Sequence, residues 1–153
     1  MSEFRRLDFL LGRWEGRSTG QFGEKGTLVS TLECTKEPGD RFLQLRGETR
    51  KDGALLNSGI GFITYDPSLK KYIWKRIWSH GFIENGEGDW EDENTLVFKI
   101  VKFDVEPEGF AGSRWKSFIR RYGKDEVGHG LYTAKAGDEY RLYGETRAKR
   151  TSG

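Results

Sequence analysis

The chain predicts an all-β protein: about ten short antiparallel strands wound up and down into a closed barrel, with a short N-terminal helix closing one end. Three observations lead there. Beyond Gly12 the apolar residues recur with period two, not 3.6. Glycine is abundant, 21 of 153 residues, and proline scarce at 3; tightly turning strands that pass close together tolerate this, and long helices do not. Turn sequences recur at even, short spacing, and closing such a meander leaves no exposed edge.

The elements follow in order. Phe4, Leu7, Leu10 and Leu11 recur at helical spacing within 3–11, Ser2 is placed to cap them, and Gly12 stops the run. Trp14, Gly16, Ser18, Gly20 and Phe22 then alternate with Glu15, Arg17, Thr19 and Gln21, and GEKG at 23–26 turns the chain. Leu28, Ser30, Leu32 and Cys34 form one face of the next strand, ended by KEPGD at 36–40. Strands over 41–50 and 54–65 flank KDG at 51–53, and Asp66-Pro67 initiates the following turn. Residues 71–79 alternate strongly, and FIENGEGDW within 80–90 suits a glycine-rich strand. ENTL at 93–96 launches a strand through Phe103, and strands over 113–122, 127–134 and 139–149 complete the set. No linker or low-complexity tract interrupts residues 1–153, so a single domain is expected.

Gly-Glu-Thr-Arg occurs at 47–50 and again at 144–147. In both copies parity sets Gly and Thr on the face of the preceding apolar residues, Leu43 and Leu45 or Tyr140 and Leu142, with Glu and Arg on the other. The repeat reads first as two strands meeting one demand, glycine thinning a crowded interior while Glu and Arg make cross-strand pairs; the alternative is a buried Glu–Arg pair near a ligand.

Composition limits the function. A net charge of +2, from 26 basic and 24 acidic residues, disfavours nucleic acid even though Lys70, Lys71, Lys75 and the strand at 113–122 form a basic stretch with aromatics. The apolar runs are too short to span a bilayer or to serve as a secretion signal, so a cytoplasmic protein is expected. Cys34 is alone, and its expected state is burial as a small hydrophobe. A homodimer stays open.

The most informative stretch is KKYIWKRIWSH at 70–80. Tyr72, Trp74, Arg76, Trp78 and His80 share one strand face. Turned inward, that face seats Arg76 between two indoles, where a guanidinium requires a carboxylate, phosphate or hydrogen-bond acceptor. Ser113, Trp115, Ser117 and Ile119 read as a second cavity wall; Arg114, Lys116, Phe118, Arg120 and Tyr122 read as a solvated basic face. His80 and His129 are the only histidines, too few for a three-histidine zinc site but each a candidate axial haem ligand, His129 with glycines on both sides. Glu15, Glu48, Glu84 and Glu145 are strand carboxylates available as a general base, with Glu48 and Glu145 to be inspected first.

LDFLLGRWEG at 7–16 resembles the opening of small calycin-like barrels, a plan shared by lipocalins and fatty-acid-binding proteins. GFITYDPSLKKYIWKR at 61–76 and EYRLYGETRAKR at 139–150 bring the resemblance closer to nitrobindin-like haem-binding barrels and related bacterial barrels of unassigned function. The resemblance implies that Gly12 and Trp14 belong to the barrel bottom, Trp14 plugging it beneath the first strand. It also implies haem held by a histidine near the last strands; this chain departs from that, having no histidine in 130–153. The two-helix lid of fatty-acid binders has no room in GEKG, and Arg76 is the candidate for an analogous carboxylate anchor.

The expected function is binding of a small apolar or amphipathic anionic ligand inside the barrel, with Tyr72, Trp74, Arg76, Trp78 and Trp115 as its binding residues. The alternatives are an isomerase- or lyase-like enzyme using a cavity carboxylate, a haem-binding barrel, and a filled barrel used in protein association. No cofactor is specified.

Overall fold

The computed structural model describes residues 2–37, 39–108 and 113–152. Pro38 of the KEPGD turn and Gly112 ahead of the Trp115 strand lie outside the described residues. A 3-10 helix, Phe4–Leu10, precedes ten strands: β1 (Gly12–Thr19), β2 (Thr27–Lys36), β3 (Leu43–Lys51), β4 (Ala54–Asp66), β5 (Lys71–Trp78), β6 (Ile83–Trp90), β7 (Thr95–Val105), β8 (Arg114–Gly123), β9 (Glu126–Ala134) and β10 (Arg141–Ser152). Each strand pairs antiparallel with its sequence neighbours, and β1 with β10 closes the barrel through pairs such as Gly16↔Ala148. This is the ten-stranded meander expected. Among the described residues no helix is long and apolar enough to cross a membrane.

The helical lead is tighter than the α-helix its spacing predicts. Ser2 Oγ accepts the Arg5 N–H at 3.3 Å, and Gly12, at φ 116°, swings the chain into β1. The helix is pinned from two sides. Trp14 donates its Nε1–H to the Leu10 carbonyl at 2.8 Å. Arg150 on β10 lies 4.2 Å over the Trp14 ring and donates to the carbonyls of Leu11 and, at 2.9 Å, Phe9. Leu7 and Leu10 are thereby held in the barrel bottom with Trp14, Leu43, Ile63 and Leu96, all buried. At that same end Asp66 closes its turn by accepting from the Ser68 N–H, the Ser68 hydroxyl and the Leu69 N–H.

Two expectations need correction. The register of β10 shifts between Leu142 and Gly144, so Leu142 is exposed instead of sharing a face with Gly144 and Thr146; the bulge reverses parity at that point. Phe118, assigned to a solvated face, is buried on the outside of the barrel. Its cross-strand partner is Gly130, and the phenyl ring occupies the space a Cβ there would need.

Candidate functional site

Apolar packing fills the helix end of the barrel, and the other end is hollow. A cavity of about 610 Å³ opens among Phe22, Leu56, His80, Phe82 and Tyr143. Strand β5 carries its most structured wall.

The inward side chains of β5 are bulky, and each has a glycine opposite it on one of the two neighbouring strands. Trp78 and Arg76 pair across to Gly59 and Gly61 on β4, Trp74 to Gly86 on β6, and Phe98 on β7 to Gly88. A methyl at Gly59 would lie 2.9 Å from the Trp78 ring, one at Gly61 2.9 Å from Arg76 Cγ, and one at Gly86 would overlap the Trp74 indole. Hydrogens at these positions let the large groups lie flat along the wall. The product is a stack. Phe98 and Trp74 lie parallel, centroids 4.1 Å apart and planes within 12°, and Arg76 Cζ sits 4.3 Å from the Trp74 ring on one side and 4.3 Å from the Trp78 ring on the other. A desolvated guanidinium over an indole gains about 2 kcal/mol, which offsets part of the cost of its burial.

Polar partners meet the edge of the guanidinium. Arg76 Nη1 lies 3.2 Å from His129 Nε2 on β9, and Arg76 Nε lies 3.5 Å from Glu84 Oε1 on β6. Glu84 Oε1 also accepts the Trp78 Nε1–H at 3.3 Å. Since Arg76 can only donate, His129 Nε2 accepts and its proton sits on Nδ1. Burial, reinforced by the Arg76 charge, pushes the His129 imidazole down to about 3, so it is neutral. Burial raises the Glu84 carboxyl, with Arg76 and the Trp78 N–H acting in the opposite sense. Burial also works against the Arg76 charge, but a guanidinium is too basic to lose it. Arg76 Nη2, Glu84 Oε2 and His129 Nδ1 make no hydrogen bond to a described residue.

The rest of the wall is mostly apolar: Leu28, Leu32 and Leu45 on one side, Trp115 on the other. Two pairs of hydroxyls meet on this side, Thr146 donating to Ser18 at 3.3 Å and Ser30 lying 3.1 Å from Thr49. Phe82 and Phe103 close edge-on against Trp115, at 5.8 and 5.5 Å, where the β7–β8 ladder stops at Lys99↔Lys116.

Trp74, Arg76, Trp78 and Trp115 all line the cavity. Tyr72 lies below it, its hydroxyl donating to the Glu3 carbonyl at 2.6 Å and accepting from Trp90 Nε1 at 2.9 Å. Of the four carboxylates singled out, Glu84 alone is buried at the cavity. Glu15 is exposed on the outer face, Glu48 pairs with Arg50 at 3.3 Å, and Glu145 accepts from the Tyr122 hydroxyl at 2.5 Å. The basic stretch is interleaved with acids: Lys71 pairs with Asp89, and Lys75 with Asp104 at 2.7 Å. Spacing along the chain carries no trace of the meeting of Arg76 with His129, 53 residues away. The signal available was the row of glycines facing large residues, which becomes visible once strand register is known.

His129 does not fit an axial haem ligand. Its Nε2 is turned to a cation, and the glycines beside it point outward, where Phe118 fills the space at Gly130, and Tyr122 with Glu145 fills that at Gly128. His80 sits in the exposed turn at the mouth.

No protein-family model matches the chain, and no curated protein matches it in sequence. Solved structures do match in shape. The crystal structure of Rv2717c from M. tuberculosis superimposes with a TM-score of 0.66 at 17% identity, covering 99% of each chain. The S-type phycobiliprotein lyase CPES from Guillardia theta gives 0.64 at 14% identity, covering 100% of this chain and 94% of that one. At such identities the likeness concerns the fold alone: a ten-stranded antiparallel barrel.

Proposed function

We propose that this barrel binds a small, largely apolar molecule carrying one anionic group, with Trp74, Trp78 and Trp115 as apolar walls and Arg76 as the anchor. One observation carries the reading: Arg76 is clamped between two indoles at the cavity wall with Nη2 uncommitted. A guanidinium already desolvated and oriented loses little freedom on accepting an anion, and each such charged hydrogen bond contributes about 1.5–3 kcal/mol. Residues 1–153 would act as one cytoplasmic domain, and the motifs at 7–16 and 61–76 support a place among nitrobindin-like barrels.

The test uses the fluorescent anion 8-anilinonaphthalene-1-sulfonate (ANS). Removing Arg76 alone strands Glu84, so the informative comparison is E84Q against E84Q/R76M, with the fold checked by circular dichroism. Adding R76M should weaken ANS binding by at least about tenfold. Equal affinities would remove Arg76 from the site.

A second reading, an isomerase- or lyase-like enzyme, is favoured by Glu84, a buried carboxylate with one oxygen uncommitted at the cavity. It requires turnover of a carbon acid, such as a β,γ-unsaturated ketone, that E84Q abolishes. Turnover that is absent, or unchanged in E84Q, would end it.

A further inference from the structure

The polar wall of the cavity is electrically balanced. Arg76 supplies one positive charge and Glu84, 3.5 Å from its Nε, one negative charge; His129 is neutral, accepting from Arg76 at 3.2 Å. Among the described residues nothing else facing this pair alters the balance. Lys75 on β5 turns outward to Asp104, Glu24 at the mouth pairs with Lys51 at 3.0 Å, and the Glu48 carboxylate pairs with Arg50. His80 lies in the exposed turn. Phe103, the β7 partner of Glu84, carries no charge, nor do Gly59 and Gly61 on β4 or Trp115 and Ser117 on β8.

An anion accepted by Arg76 Nη2 therefore becomes a second negative charge around one cation in an apolar enclosure. Like charges sharing a desolvated site cannot both persist without a large penalty, and one of them takes a proton. Glu84 is built for that. It is only 2% exposed, so burial already opposes its charge. Its Oε1 is held by Trp78 Nε1, and Oε2 has no partner among the described residues and can carry the proton. A proton on His129 would instead press a second cation against Arg76.

We propose, building on the binding reading above, that the cavity takes its ligand as an acid: the anion docks on Arg76 while one proton enters on Glu84. The ligand class this selects is a monobasic acid with an apolar body, bound as a net-neutral unit. A dianion arrives one proton short and is rejected. Glu84 thus sets specificity for ligand charge.

ANS tests this cleanly, because its sulfonate stays ionised and any proton taken up belongs to the protein. Calorimetry in two buffers of different ionisation enthalpy should show uptake of about one proton per ANS near neutral pH, with affinity falling about tenfold per pH unit as pH rises. E84Q should bind more tightly than the native protein at about pH 8, with no uptake and no pH dependence in this range, whereas H129Q should keep the uptake. Infrared difference spectra of the native protein should gain a protonated-carboxyl band on adding ANS, a readout that stands even if a variant fails to fold. Native binding without uptake, uptake that survives in E84Q, or no new carboxyl band overturns the proposal. If Arg76-dependent binding persists in those cases, only the proton linkage falls. ANS that binds neither protein, or binds E84Q and E84Q/R76M alike, sinks the binding reading and this proposal with it.

Discussion

Acid should loosen this barrel through His129, and the size of the effect follows from where the imidazole sits. In the unfolded chain it takes a proton near the ordinary 6.5, whereas in the folded barrel burial and the Arg76 charge delay this to about 3. The unfolded state therefore binds more protons across that window, and stability is lost as pH falls through it. At pH 5 the unfolded histidine is almost fully protonated and the folded one is not, which destabilises the protein by about 2 kcal/mol relative to pH 8. Glu84 acts in the opposite sense: its carboxyl is raised on folding, so its share of stability grows as pH falls. The His129→Gln variant keeps an acceptor for Arg76 Nη1 and keeps Glu84, so the difference between variant and native protein isolates the imidazole. Urea unfolding of both proteins at about pH 8 and pH 5 should show the native protein losing about 2 kcal/mol more than H129Q. Parallel losses would mean that His129 is solvated or charged in the folded state, and the description of the Arg76 edge would be wrong.

Other perturbations test the packing. Gly86→Ala drives a methyl into the Trp74 indole and should cost about 1–3 kcal/mol with a changed near-ultraviolet circular dichroism spectrum; Gly123→Ala, with nothing within 4 Å of the added carbon, is the control and should be nearly silent. Equal effects would show that the stack tolerates displacement. The Cys34 thiol, 2% exposed and pushed up to about 12 by burial, should resist Ellman's reagent at about pH 8 until the barrel is unfolded. Stoichiometric labelling of the native protein would contradict its burial. Arg150→Ala removes the donors to the Phe9 and Leu11 carbonyls and should cost about 2–3 kcal/mol, with faster amide exchange in residues 4–10. Unchanged exchange there would mean that Trp14 holds the helix unaided.

Much of the fold was legible in the chain because its cues are local. Period-two alternation, Gly-containing turns and the Gly12–Trp14 start of β1 each depend on neighbouring residues, so the strand count and the common facing of Trp74, Arg76 and Trp78 could be read directly. Strict alternation broke at one position, and an outward-facing side chain was buried at another. A bulge in β10 turned Leu142 outward, and Gly130 let Phe118 bury itself on the outer wall. Neither event leaves a mark in hydrophobic periodicity.

What the sequence by itself determined was which residues share a strand face, since side chains alternate across an extended backbone whatever that strand pairs with. The tertiary structure alone decided which faces meet. Closure of the barrel brought β9 across the cavity from β5, so that His129 reached Arg76, and the β5–β6 register set Glu84 opposite Arg76 while Glu48 and Glu145 went to the outside. Register and closure depend on strand stagger and bulges summed around the whole barrel, a property of all ten strands together that no single stretch of the chain encodes.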